Sequence, residues 1–342
     1  MSTLNKATTR VLTYAQALNE ALLEEMERDP KVVLLGEDIG EFGGLYSVTR
    51  GLLERFGPAR VMDTPISEAG FVGAALGLAL TGYRPVVEIM FVDFIFVCAD
   101  QLFNHIAKAR YTSGGQRKAP LVVRTQQGSA ATGGKAAHHS QSLEAIFCHI
   151  PGWYVVAPYT PADAKGLLKA AIRDDNPVAL LEHKALYFTR GPVPSGDYTV
   201  PIGRAAVVRE GRDLTLVAYS RAVGLALTAA DALSREGVST EVVDLRTLKP
   251  LDIETVINSV RKTHRAVVAH EAARFCGFGA ELTATIQQLA FDDLDGPVLR
   301  VGGLDAPVPY NRRLERAVLP QVGDVLAAAS RLLKIRLAGS GA

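Results

Sequence analysis

A single carboxylate, Glu68, opens the run "EAGFVGAALGLAL", which is otherwise built of apolar and small residues. An acid is seldom buried without a partner, and a helix-packing face has no need of one. In a desolvated site its pKa rises, which suits it to share a proton near neutral pH. The plainer reading is an acid in the first turn of a helix, favoured by the macrodipole and wet on one side. Two further features qualify as chemistry. His139 follows a Gly-rich loop in "TGGKAAHHSQS". It reads either as a proton-transfer group or as a loop residue before a helix capped by Ser142. "EIMFVDF" sets Met90 and Phe94 towards the end of a strand, where parallel sheets hold their ligands. Such residues are also ordinary core.

Other motifs fail on their spacing. "GFGAEL" has Leu282 where a dinucleotide fold needs its third glycine. "GSAATGGK" is one residue longer than a P-loop, and Ala136 follows its lysine in place of the Mg²⁺-binding hydroxyl. His138, His139, Cys148 and His149 are near in sequence, but no HExxH or CxxC spacing makes them a zinc set. A GxSxG elbow for nucleophilic serine is missing as well.

The elements that must position these residues alternate. Helices are expected at "YAQALNEALLEEMER", at the Gly/Ala run after Glu68, at "CADQLFNHIAKARY" and at "PADAKGLLKAAIR", where Thr160 is the N-cap and Pro161 the first helical residue. Strands are expected at "KVVLLGED", "RVMDT", "RPVVEIMFVDF", "APLVVRTQQG", "WYVVAP" and "PVALLEH". The Gly/Pro-rich "TRGPVPSGDYTVPIG" reads as a linker. Beyond it the alternation resumes with "DLTLVAYS", Ala222 to Arg235, "TEVVDLRTL", "DIETVINSVRKT", "RAVVAHEA", "GAELTATIQQLA" and "PVLRVGG". Such alternation predicts an α/β fold of two doubly wound domains, residues 1–195 and 203–342.

Bulk properties narrow the partners. The chain has 342 residues, enough for two ordinary domains. Thirty-seven basic residues against 36 acidic ones give no field for nucleic acid or an anionic membrane. The apolar segment from Ala69 to Tyr83 is too short to span a bilayer. "MSTLNKATTR" lacks the apolar core of a secretory signal, and three scattered cysteines offer no disulfide framework. A cytoplasmic location is the expectation.

Several long blocks carry a resemblance. "GED" with "FGG", "VMDTPISEAGFVGAALGLALTGYRPVVEIMFVDF", "DQLFNHIAKARYTSGG", "HHSQSLEAIFCHIPGWYVVAPYTPADAKGLLKAAIRDDNP" and "EVVDLRTLKPLD" resemble the β subunit of the E1 component of thiamine-diphosphate-dependent 2-oxo acid dehydrogenase complexes. The likeness runs from about residue 10 to 335. It implies a transketolase-like pyrimidine-binding domain followed by the transketolase C-terminal domain. It also implies that Glu68 bonds N1′ of the cofactor's aminopyrimidine, that Met90 and Phe94 pack against that ring, and that His139 stands near the substrate. By position it carries over a structural K⁺ on Leu121, Ala171, Ile172, Asp174 and Asn176. "AIRDDNP" suits this as a helix end with unpaired carbonyls.

The GDG block that holds Mg²⁺ and the diphosphate in such enzymes is not in this chain. The resemblance therefore implies half of an active site, completed by an E1 α subunit in an α₂β₂ tetramer and inactive alone. The implied reaction is decarboxylation of a small 2-oxo acid, pyruvate first, with acyl transfer to a lipoyl-bearing E2. Acetoin cleavage, a branched-chain 2-oxo acid and a non-catalytic assembly role are the alternatives. The family usually has Gln before the "HSQ" histidine, where this chain has His138. The loop before it is also longer here, which bears on the substrate rather than on the class of reaction.

Overall fold

The computed structural model describes residues 9–130 and 132–335; of the opening segment "MSTLNKATTR" read for a leader, residues 1–8 lie outside them. The chain divides into two compact units. The first holds the residues up to Gln126 with Ile150–Glu182 and Leu186–Ile202. The second holds Gln127–His149, His183–Ala185 and the chain from Gly203 onward. Residues 127–149 and 183–185, inside the first domain as expected from the sequence, thus group with the second unit.

In chain order the first elements are β1 (Thr9–Thr13), α1 (Tyr14–Arg28), β2 (Val32–Gly36), α2 (Leu52–Phe56), β3 (Val61–Asp63), α3 (Glu68–Leu80) and β4 (Arg84–Ile89). There follow α4 (Ala109–Thr112), β5 (Val122–Gln127), α5 (Glu144–His149), β6 (Tyr154–Val156), α6 (Pro161–Arg173), β7 (Val178–His183) and β8 (Arg190–Pro194). Local chemistry sets the helix starts. Thr13 and Gln16 exchange side-chain-to-amide bonds of 2.9 and 3.1 Å, a capping box that starts α1. Thr160 accepts from the Asp163 amide and Pro161 leads α6, as the sequence predicted. The parallel sheet runs in the order β6-β7-β5-β4-β2-β3, and its strands β2, β5 and β7 are buried throughout.

The expected linker is partly a strand. β8 pairs antiparallel with β1, with Pro192 opposite Val11 and Pro194 opposite Thr9. Prolines are tolerated there because a two-stranded ribbon leaves unpaired edges. Composition alone hid it, since its partner lies at the other end of the domain.

The second unit continues with β9 (Ala206–Arg209), β10 (Leu214–Ala218), α7 (Ala222–Arg235), β11 (Thr240–Asp244), β12 (Thr247–Lys249) and α8 (Ile253–Thr263). It ends with β13 (Ala266–Ala273), α9 (Phe278–Leu289), β14 (Leu299–Gly303), α10 (Arg312–Val318) and α11 (Val322–Leu333). Its sheet has the order β14-β13-β10-β11-β9, parallel except for β9. No helix among the described residues is long and apolar enough to cross a membrane.

Candidate functional site

Strand order locates the site in the first unit. From β2 the chain moves to β3 on one side, and from β4 it moves to β5 on the other. In such sheets the crevice outside the carboxyl ends of the diverging strands receives ligands. Glu37 leaves β2 there, Met90 leaves β4, and Glu68 follows the end of β3. β2 and β4 approach so closely that a Cβ on Gly36 would lie 2.9 Å from the Glu88 carbonyl oxygen. The loop after Glu37 is fixed by the Gly40 amide on Asp63 (2.7 Å), the Gly44 amide on the Asp38 carbonyl (2.9 Å) and the Thr49 hydroxyl on the Ile39 carbonyl (2.7 Å).

Two acids share this crevice. Glu68 is the first residue of α3 and only 6% exposed, so it is not a wet helix-start acid. Ser67, the N-cap, makes no side-chain cap bond. Glu37 is 8% exposed and its Oε1 has no hydrogen-bond partner. Burial first, then the charges of Glu68 and Asp38, push its carboxyl up to about 7. A group with that pKa holds and releases a proton at neutral pH. The fully buried Cys98 thiol is pushed up to about 12 by burial and, next, by Glu68. Its sulfur lies 3.9 Å from the Phe94 carbonyl oxygen, which ties the Phe94 turn to the Glu68 side of the crevice.

The strand expected through Phe94 stops at Ile89. Gly36, the last residue of β2, pairs with Glu88, so no ladder partner remains on that side for Met90. The chain turns into a 3₁₀ segment, Val92–Phe96, in which the Phe94 amide bonds the Phe91 carbonyl at 2.9 Å. Met90 and Phe94 are both half-buried.

Beneath the crevice lies a polar cluster that the sequence reading passed over. Arg124, 1% exposed, forks onto Glu182 at 2.6 and 2.9 Å and reaches Glu88 at 2.8 Å. Gln126 donates to the other oxygen of Glu88 at 2.9 Å, and the Tyr187 hydroxyl donates to Glu182. A bidentate guanidinium fills the lone pairs of both acids, without which their burial would be prohibitive.

The residues expected around K⁺ gather at the end of α6. Arg84 donates to the carbonyl oxygens of Ile172 (3.0 Å) and Asp174 (2.8 Å). Leu121 and Ala171 accept from the Val178 and Asp174 amides at 3.0 and 3.3 Å. The Asn176 amide groups bond Asp174 Oδ1, both at 2.8 Å, and its own Oδ1 accepts from Arg110 at 2.6 Å. Each carbonyl has a second lone pair, so this oxygen-rich set fits a hard monovalent cation beside the guanidinium.

His139 belongs to the second unit. It is half-buried in a turn whose amide faces the Ala136 carbonyl at 3.3 Å, with Ala136 at φ +56°. The base of this loop is closed by the Gly128 amide on the Gln141 carbonyl (2.7 Å). His138 is exposed and lines a cavity of about 480 Å³ with Gln141, Leu143, Ala272, Leu304 and Val308. The structure thus brings Glu68, Met90 and Phe94 to one crevice of the first unit, while the second unit carries His139. Sequence reasoning missed Glu37 as a proton-carrying group. Its signal was present in "GED", an acid pair directly after a wholly buried strand.

Comparison with known proteins adds the family. Residues 10–189 match the pyrimidine-binding domain of transketolase, and residues 203–325 match the transketolase C-terminal domain. The chain is 47% identical to pyruvate dehydrogenase E1 component subunit beta-2, mitochondrial, of Oryza sativa, over 95% of this chain and 87% of that one. It is 46% identical to pyruvate dehydrogenase E1 component subunit beta of Rickettsia felis, over 94% and 98% of the two chains. It is also 46% identical to the acetoin:2,6-dichlorophenolindophenol oxidoreductase subunit beta of Cupriavidus necator, over 95% and 98%. Among solved structures, a split-gene transketolase described as an inactive beta4 tetramer matches with TM-score 0.76 and 25% identity, over 95% of this chain and 99% of that one.

Proposed function

Because the chain belongs to the family of E1 β subunits built from the transketolase pyrimidine-binding and C-terminal domains, we propose that it works as one half of a thiamine-diphosphate enzyme. The reaction is decarboxylation of pyruvate, with the acyl group passed to a lipoyl-bearing E2. The observation that carries this reading is the buried acid pair at the sheet's switch point, Glu68 with the orphaned Glu37 oxygen. A buried pair of carboxyl groups, one of them pushed up to about 7, suits a heterocyclic ring nitrogen that must gain and lose a proton.

The bound cofactor supplies a carbon nucleophile and an electron sink for the bond that breaks as CO₂ leaves. The protein's part is proton placement and exclusion of water. Glu68, buried in α3 along with Phe71 and Val72, would hold the pyrimidine at N1′ and share a proton there through its carboxyl oxygen. Met90 and Phe94 give the ring an apolar wall. Glu37, its carboxyl pushed up to about 7 by burial and by the charges of Glu68 and Asp38, is a second group in that crevice able to hold or give up a proton. His139 holds the substrate carboxylate or carbonyl and moves a proton at its imidazole during acyl transfer.

Mg²⁺ and the diphosphate fall to a separate α subunit, in an α₂β₂ assembly, because this chain has no GDG block. A K⁺ ion is held by Leu121, Ala171, Ile172, Asp174 and Asn176, where it fixes the end of α6. The protein works in the cytoplasm, where Cys98, Cys148 and Cys276 stay thiols. Acetoin is the second reading, suggested by the name of the Cupriavidus relative.

The test is reconstitution with the cognate α subunit. Turnover is measured with pyruvate, acetoin and a branched-chain 2-oxo acid, each with and without Glu68→Gln. Loss of about 100-fold or more in kcat with the protein still folded is expected from removing a transition-state proton contact. Full turnover by Glu68→Gln would refute the assigned role. A reconstituted pair that binds no thiamine diphosphate would instead mark a non-catalytic assembly subunit.

A further inference from the structure

The loop that leads to His139 is held by acids from much later in the chain. Glu315, in α10, is 1% exposed and serves two of the loop's donors with one carboxylate. The Ser129 hydroxyl donates to Oε1, and the Gly133 amide donates to Oε2 at 2.8 Å. Glu271, on β13, takes the Ser129 amide on Oε1 at 2.8 Å, while Arg221 holds its other oxygen. The Gly134 amide adds a bond of 2.9 Å to the Tyr310 carbonyl. Contact is close throughout. A Cβ on Gly133, at φ +77°, would meet Arg312 Cβ at 3.0 Å, and a Cβ on Gly128, at φ +74°, would lie 2.2 Å from His183 Nε2.

These bonds answer two needs at once. A buried carboxylate costs a great deal unless its lone pairs are filled, and a loop folded inward must satisfy its amides. Amide-to-carboxylate bonds are stronger than neutral ones and directional, so they fix backbone orientation as well as position. With both ends joined at Gly128 and Gln141, the segment is a closed loop whose near limb is pinned at Ser129, Gly133 and Gly134. His139 follows Gly134 by five residues, so whatever sets Gly133 and Gly134 sets the start of the segment that carries its imidazole.

We propose that Glu315 is a positioning residue for the reaction, clamping the loop through Ser129 and Gly133 so that His139 meets the substrate in one orientation. The proposal rests on the reading of His139 as the substrate-side group. It gives the C-terminal domain a part in the chemistry, through a helix whose side chain lies 186 residues from the Ser129 it holds.

The test uses the protein assembled with its α subunit, as wild type, Glu315→Ala and Glu315→Gln. Hydrogen exchange of the amides from Ser129 to Gly134 is expected to quicken about tenfold or more in Glu315→Ala, the effect of a lost charge-assisted bond. Glu315→Gln, which keeps one acceptor, is expected to fall between. The kcat is expected to drop about tenfold or more in Glu315→Ala and to recover in part in Glu315→Gln, with thiamine diphosphate affinity unchanged. A loosened loop with unaltered kcat would overturn the positioning role, and unaltered exchange would overturn the clamp itself. Full turnover by His139→Ala would defeat the reading of His139 and leave the exchange result standing. If Glu315→Ala does not fold, Ser129→Ala, which removes only the hydroxyl on the same carboxylate, is read in the same two assays. A smaller loosening and a smaller loss are then expected, and the absence of both overturns the proposal.

Discussion

Replacing Glu37 by Gln is expected to stabilise the protein at alkaline pH and to do so much less in acid. The folded-state carboxyl titrates at about 7 against an ordinary 4.5. Between those values the folded protein keeps a proton that the unfolded chain has already released, so stability falls as pH rises. The penalty is absent well below pH 4.5 and complete above pH 7. A shift of this size corresponds to about 3 kcal/mol. Glu37 retains some contact with solvent, which screens the repulsion from Glu68 and Asp38, so about 1–3 kcal/mol is the working range. In a unit of this size that amounts to roughly 2–10 °C in Tm. Gln has nearly the same shape, and any cost of burying its amide is the same at every pH. The informative quantity is therefore the difference in Tm between variant and wild type at pH 8.5, less the same difference at pH 5. Scanning calorimetry on both proteins in parallel measures it. A difference that does not change between the two pH values would show that Glu37 titrates as an ordinary acid, and the proton-carrying role would fall with it. A second arm uses Glu68→Gln, which removes one of the charges acting on Glu37 and is expected to shrink the pH dependence.

Other perturbations are expected to act as follows. His270 is fully buried, and burial, then Arg300, lowers its pKa to about 4. Its contribution is whole above pH 6.5 and is lost as pH falls towards 4, about 3 kcal/mol in all, so His270→Gln is expected to flatten the Tm-against-pH curve in that window. Arg124→Met strands Glu88 and Glu182 without a cation and is expected to cost about 3–5 kcal/mol, partly recovered by adding Glu182→Gln, as read from urea unfolding. Gly128→Ala places a Cβ on the His183 ring at a left-handed φ and is expected to cost about 2–4 kcal/mol, measured as a fall in Tm.

The sequence made legible what short-range physics controls. Thr160 with Pro161, the span of α7 and the alternation of strands with helices all follow from local patterns, and the structure has them. Contacts between distant residues were another matter. β1 and β8 define each other across the length of the first domain, so neither is recognisable by itself. β4 stops at Ile89, one residue past its last pair with β2 and at its last pair with β5, facts about neighbouring strands that "EIMFVDF" does not contain. The helices α10 and α11 went unread because nothing before them in the alternation required them. At the site, Glu68 was legible because an acid among small apolar residues is conspicuous. Glu315 was not, since an acid in "NRRLERAV" looks like any solvated helix residue until Ser129 and Gly133 are seen upon it.

The same division bears on substrate. On the proposed reading, Glu37 and Glu68 serve proton movements that any 2-oxo acid or acetoin would require, so they bear on the class of reaction and are silent about its side chain. Nearly equal identity to pyruvate and acetoin relatives is silent for the same reason, because it averages over two whole domains. Discrimination between substrates that differ by a methyl or a hydroxyl amounts to about 1–3 kcal/mol, an effect one or two side chains can supply. The loop before His139 has the means to supply it. His138 lines a cavity together with Leu143, Ala272, Leu304 and Val308. A lining of that kind is useful only if the backbone beneath it is fixed, because a mobile loop would average away so small a preference. If the proposed clamp holds, the carboxylates that pin Ser129 and Gly133 bear on selectivity as well as on rate. On the proposed reading, the acids of the first unit set the class of reaction, and the loop held by Glu315 and Glu271 is where a choice of substrate is to be tested.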